Sequence, residues 1–171
     1  MKKIIFTILI SLGLTLLQAD SQANESFVLV NTEGNQIHVK ATDQGLDFKE
    51  YRGKAVFLVL FGHMCPPCNA EIPEFIALSE EYKDKLAIIA IEAQRYSMEK
   101  LKAFKLRKGI NYNLVPGKDN DDFIGHIAQR AKWSGAIPLL IALDSKGDVQ
   151  VVQQGFIPKK TLEGLIEKLT K

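Results

Sequence analysis

The apolar run Ala55-Val56-Phe57-Leu58-Val59-Leu60-Phe61 constrains this chain more than any other stretch. No polar side chain interrupts it, so neither face of the segment suits water, and its length fits a central strand covered on both sides. Four residues further on stands Cys65, and the string Cys65-Pro66-Pro67-Cys68 holds the only two cysteines of the 171 residues. A buried strand that runs into two cysteines spaced by two residues, near a βαβ pattern, is the setting of a dithiol redox motif.

The flanking sequence supplies that pattern. After the cysteines, Ile72, Phe75, Ile76, Leu78 and Tyr82 recur at helical spacing. Pro66 and Pro67 suit the first turn of this helix, where a missing N–H costs nothing, and Pro73 is expected to kink it. Leu86–Ile91 predicts a second buried strand. Ser97–Lys108 predicts a helix with Ser97 as its cap and Gly109 just past its end. Asn113–Val115 reads as a short strand or extended connector, and 121–132 as a helix burying Phe123, Ile124, Ile127, Ala128 and Ala131. Leu139–Leu143 and Val149–Gln153 form strands around a Gly147-containing loop, and Leu162, Leu165, Ile166 and Leu169 mark a terminal amphipathic helix. Ahead of the central run, 27–31 and 36–39 read as a hairpin, and 43–53 as a loop with one helical turn near Phe48 and Tyr51. Strands alternating with helices predict an α/β layer architecture whose terminal hairpin adds an antiparallel edge.

The N-terminus is set apart. Lys2 and Lys3 precede an apolar run to Leu17 and then small polar residues, the pattern of a secretory signal ending near Ala19 or Ala23. The competing reading, an uncleaved anchor, asks for about 20 apolar residues, more than this run offers. Residues 1–23 are therefore set aside as signal or anchor, and 24–171 as one domain. The chain has 22 basic and 20 acidic residues. Lys2 and Lys3 are the only charges in 1–19, so their loss leaves a neutral domain with no electrostatic footprint for nucleic acid or anionic lipid. Contact with a membrane is expected only through the N-terminal segment. Export places the cysteines where disulfides persist, and a pair this close in sequence makes a weak structural staple.

At the junction of a strand and a helix N-terminus, a cysteine meets unpaired N–H groups and the positive end of the helix dipole, both of which favour its thiolate. Cys65 is thus expected to attack, and Cys68, one turn in, to resolve the mixed disulfide. Pro66 and Pro67 contribute no N–H donors, which predicts a more reducing pair than a Gly-containing linker would give.

The chain resembles the thioredoxin-like superfamily, and within it the TlpA/ResA branch of exported bacterial thiol-disulfide oxidoreductases. The resemblance rests on Gly53-Lys54-Ala55-Val56-Phe57-Leu58, on Cys65-Pro66-Pro67-Cys68 followed by Glu71-Ile72-Pro73, on Ile137-Pro138 and on Asp144-Ser145-Lys146-Gly147. It implies a thioredoxin-like fold, a central mixed sheet flanked by helices, with an N-terminal β-hairpin and an inserted helix and strand over about 97–115. It also implies that Cys65 is the nucleophile, Cys68 the resolving thiol and Pro138 a cis proline facing them. A client strand would pair with Ile137, and Glu71 would tune thiol ionisation, where its alternative is a solvated helix-face glutamate. The redox-active disulfide itself takes the place of a cofactor. The implied partners are client proteins with cysteines or disulfides, apocytochrome c among them, and a membrane dithiol reductase as electron donor in the periplasm. Two positions depart from the pattern: Met64, a substrate-facing position, stands where relatives carry Trp, and Val59 where thioredoxin carries a buried acid.

Two rival readings remain. Cys65, Cys68 and His63 form a candidate set for copper or zinc, although structural zinc wants four ligands and the chain has no second cysteine pair; His38 and His126 are read as surface or helix-face residues. The other rival treats the cysteines as an inert staple in an interaction module. Covalent haem attachment is excluded because Asn69, not His, follows Cys68.

Overall fold

The computed structural model describes residues 25–171. The signal or anchor reading of 1–23 lies outside them, and among the described residues no helix is long and apolar enough to cross a membrane.

Among the described residues, two sheets and four α-helices make up the fold. Strands β1 (Ser26–Val30), β2 (Gln36–Ala41) and β3 (Leu46–Phe48) form an antiparallel sheet in that order. Then follow β4 (Ala55–Phe61), α1 (Pro66–Glu81), β5 (Leu86–Glu92), α2 (Met98–Lys108), β6 (Asn113–Pro116), α3 (Asp121–Arg130), β7 (Leu139–Leu143), β8 (Val149–Gln154) and α4 (Lys159–Leu169). The main sheet has the order β6-β5-β4-β7-β8, with β4–β5 and β5–β6 parallel and β4–β7 and β7–β8 antiparallel.

The expected hairpin thus gains a third strand. Leu46 and Phe48 are buried while Asp47 between them is not, the period-two signature that three residues are too few to make visible in sequence. The helical turn expected beside it is a 3₁₀ turn over Lys49–Tyr51.

All seven residues of β4 are buried because opposite faces of the strand meet different cores. Ala55, Phe57, Val59 and Phe61 pack with Ile72, Phe75 and Leu78 of α1, Leu101 and Phe104 of α2, and Leu162, Ile166 and Leu169 of α4. Val56, Leu58 and Leu60 pack instead with Phe123 and Ile127 of α3 and with Leu29, Ile37 and Val39 of the smaller sheet. The alternation of side chains along a strand produces both cores from one uninterrupted apolar run. Burial of this kind is the main favourable term in folding, at about 25 cal/mol per Å² of apolar surface.

Helix ends follow the local chemistry. The Ser97 hydroxyl accepts from the Lys100 amide, and Gly109 closes α2 with φ +66°, where a side chain would be strained. Helix α1 continues through Pro73, which leaves the Asn69 carbonyl without its intrahelical donor. The buried face of α3 differs from the expectation at one position. His126 is buried rather than on the surface, with its Nδ1 2.7 Å from the Glu25 carboxylate and its ring 5.2 Å from that of Phe27.

Candidate active site

The end of β4, the start of α1 and the segment before β7 meet at the cysteines. Cys65 is the N-cap residue of α1, in extended conformation (φ −93°, ψ 109°), and Cys68 lies one turn in. Their sulfurs are joined in a disulfide, with 5.2 Å between the Cα atoms. The Cys68 amide donates to the Cys65 sulfur at 3.3 Å. Residues 66 and 67 being proline, no other amide of the first three helical positions is available to that sulfur. Pro66 and Pro67 are exposed, and so is Met64, at 72%.

On the other side of the disulfide, the Ile137–Pro138 peptide is cis, and the Ile137 carbonyl oxygen lies 3.8 Å from the Cys65 sulfur. The Pro138 carbonyl accepts from the Gly155 amide at 2.9 Å. Cys65, Cys68, Ile137 and Pro138, separated by about 70 residues in the chain, therefore share one site because β4 and β7 are adjacent in the sheet.

Glu71 is not solvated. One turn after Cys68, it is 2% exposed and accepts a 2.7 Å hydrogen bond from the Ile157 amide. Burial raises its carboxyl to about 7, against which the single amide donor is the smaller effect. The buried Tyr112 phenol is likewise held well above its ordinary value, by burial first and by the Glu71 charge second.

A second buried acid adjoins the site, and the sequence reading missed it. Glu92 ends β5 opposite Phe61 and is fully buried. Its carboxylate is 2.6 Å from His63 Nδ1 and accepts from the amides of Gln94 (3.1 Å) and Tyr96 (2.8 Å). The His63 ring stacks on Tyr96 with centroids 3.4 Å apart. Gln94 Oε1 accepts from the Met64 amide, and Asn69 Nδ2 donates to the carbonyls of His63 and Cys65. The loop 62–65 that carries the nucleophile candidate is thus pinned from two sides. The available signal was an acid closing an apolar strand at the carboxyl edge of the parallel pair, the edge where α/β sheets place their sites. Val59, where thioredoxin has a buried acid, is itself buried among apolar residues; the acids near this site stand on α1 and β5 instead.

The three residues of the metal reading are not gathered for that role. His63 Nδ1 is engaged by Glu92 and the two sulfurs by one another. Among the described residues no group of three or more His, Cys, Asp or Glu side chains is placed to hold a metal ion.

A mixed sheet with a disulfide at a helix N-terminus and a cis proline beside it defines a thioredoxin-like redox protein. The chain belongs to the AhpC/TSA family, whose model matches residues 23–152. It is 30% identical over 146 residues to the thiol-disulfide oxidoreductase ResA of Bacillus thuringiensis, covering 85% of this chain and 75% of that protein. ResA of Halalkalibacterium halodurans is 29% identical over 154 residues, 90% of this chain and 78% of that one. Among solved structures, a putative thiol:disulfide interchange protein DsbE from Chlorobium tepidum superposes with a TM-score of 0.65 at 17% identity, covering 87% of this chain and 96% of that one. A secreted disulfide oxidoreductase of Mycobacterium tuberculosis gives 0.62 at 17% identity, over 88% and 100% of the two chains. The chain is a ResA-like thiol-disulfide oxidoreductase with its disulfide at Cys65–Cys68.

Proposed function

We propose that this protein acts outside the cytoplasm as a disulfide reductase for cysteine-containing client proteins, apocytochrome c before haem attachment among them. The reading is carried by the Cys65 sulfur, which caps a helix beside the Ile137 carbonyl, where an extended client strand can pair with the backbone.

In the reduced protein the Cys65 thiolate attacks one sulfur of a client disulfide. The client S–S bond breaks, its other sulfur leaves as a thiolate, and a Cys65–client mixed disulfide forms. Cys68 then attacks the Cys65 sulfur, releasing the second client thiolate and closing the Cys65–Cys68 bond, so that two electrons pass to the client. Glu71, one turn from Cys68 and with its carboxyl near 7, is suited to take the Cys68 thiol proton in that step. The pair is recharged by thiol exchange with a membrane dithiol reductase.

The direction follows from the first turn of α1. With prolines at 66 and 67, one amide reaches the Cys65 sulfur, so the thiolate form is stabilised less and the disulfide is favoured. A titration against glutathione is expected to give a potential nearer the about −270 mV of thioredoxin than the about −120 mV of DsbA; a value at the DsbA end overturns the reductase reading. Cys68→Ser in cells should accumulate client proteins disulfide-linked to Cys65, and their identification tests the cytochrome assignment.

A further inference from the structure

Glu92 is a costly residue to place where it stands. Strand β5 is otherwise apolar, from Leu86 to Ile91, and its register with β4 ends with Glu92 opposite Phe61. A carboxylate removed from water has to be met by donors. Glu92 is fully buried, with Oε1 2.6 Å from His63 Nδ1 and accepting from the Gln94 amide at 3.1 Å, while Oε2 accepts from the Tyr96 amide at 2.8 Å.

These contacts lead to the turn that carries Cys65. Past Phe61 the chain leaves the sheet, and a turn closed by the Cys65 amide on the Gly62 carbonyl, at 3.2 Å, brings it to the cap of α1. The two residues inside that turn are His63 and Met64. The His63 side chain is 9% exposed, held by Glu92 and stacked on Tyr96. The Met64 amide donates at 2.8 Å to the side chain of Gln94, whose own amide is held by Glu92. Both residues ahead of the nucleophile are therefore fixed by way of one carboxylate. From the helix side, Asn69 Nδ2 donates at 3.0 Å to each of the His63 and Cys65 carbonyls. A buried pair of ionisable side chains is weak evidence for stability; what this pair does is fix a turn.

We infer that Glu92 is a positioning residue for the exchange reaction. Acting through His63 and Gln94, it fixes the backbone on the N-terminal side of Cys65 and so aligns the Cys65 sulfur with Cys68 for the step that closes the disulfide. That step is intramolecular, and its rate depends on how well the two sulfurs are aligned. The inference rests on the reading that Cys65 and Cys68 exchange with other thiols.

The test mixes the reduced full chain with an excess of dithiobis-nitrobenzoate and follows the coloured thionitrobenzoate. Cys65 attacks the disulfide of the reagent, forms a Cys65–thionitrobenzoate bond and expels one thionitrobenzoate thiolate in a second-order step. Cys68, its proton passing to Glu71, then attacks the Cys65 sulfur, expels the second thiolate and closes the Cys65–Cys68 bond in a first-order step. Glu92→Ala and His63→Ala should each slow the first-order step by about tenfold and leave the second-order step within about threefold. The double variant should be within about twofold of Glu92→Ala, because the two residues act in one chain of contacts. Glu92→Gln, whose carbonyl oxygen can still accept from His63, should recover most of the first-order rate. Circular dichroism checks that each variant is folded, and His63→Ala carries the test if Glu92→Ala is not. A first-order step slowed less than about threefold in His63→Ala, equal slowing of both steps, or a Glu92→Gln protein as slow as His63→Ala overturns the inference and leaves the exchange reaction standing. Release of one thionitrobenzoate with no disulfide closed, in the unsubstituted protein, overturns the oxidoreductase reading itself.

Discussion

The Glu71 carboxylate accepts a hydrogen bond from the Ile157 amide, 2.7 Å away and 86 residues distant in sequence, in a site that excludes water. One donor does not offset the loss of hydration, and the carboxyl rises from an ordinary 4.5 to about 7. Between these values the folded state keeps a proton that the unfolded chain has released. The stabilisation is fully present below about 4.5 and is lost as pH rises through 7, a change of at most about 3 kcal/mol. Chemical denaturation at pH 5 and pH 8 measures it. Glu71→Gln should flatten this part of the profile and be the more stable protein at pH 8; an unchanged slope in the variant places the titration elsewhere.

Glu92 is expected to matter for stability in the opposite sense. Glu92→Ala leaves His63 Nδ1 and the amides of Gln94 and Tyr96 without their buried acceptor. The cost should be about 3 kcal/mol, since each buried donor left unpaired costs about 1–3 kcal/mol and the loop can relax in part. Glu92→Gln retains a carbonyl oxygen for one of these donors and should lose about half as much. Urea midpoints of the two variants decide this.

Gly62 is closely approached by two side-chain ends. A Cβ there would come 2.4 Å from the Gln94 side-chain carbon and 2.6 Å from Ile137 Cδ1. Both neighbours belong to the site, one holding the Met64 amide and the other lying against the Cys65 sulfur. Gly62→Ala should therefore cost little stability, because both neighbours are ends of flexible side chains that can move, and slow thiol exchange by about tenfold or more through displacement of the reacting groups. Normal exchange kinetics in a folded variant would show that Ile137 does not position the reaction.

The Cys65–Cys68 bond closes a ring of four residues. By loop entropy it should contribute no more than about 2 kcal/mol, compared with about 3 kcal/mol for a 15-residue loop. Reduction should accordingly leave the fold intact and shift the denaturation midpoint only slightly. Unfolding on reduction would favour a structural staple over a redox centre.

Much of this architecture is legible in one dimension because its signals are local. The unbroken apolar run at 55–61 specifies a doubly covered strand, the prolines at 66 and 67 a helix start, and Gly109 a helix end. These properties depend on neighbours within about four residues, which the sequence lists in order. Strand β3 escaped because three residues carry too little periodicity, and its pairing with β2 is what makes it a strand.

The cysteines, their spacing and their place at the strand–helix junction were set by the sequence alone, since residue type, proline placement and helical phase are enough to put Cys65 at the cap and Cys68 one turn in. Only the tertiary structure decided that Glu71 is buried and near-neutral rather than solvated. The same holds for His126, which is buried against Glu25, and for Glu92, which holds His63. In each case the deciding partner lies 29 to 101 residues away. Burial and hydrogen bonding are properties of the neighbours brought together in space, and a glutamate on a helix reads the same in sequence whether water or an amide from the far end of the chain meets it.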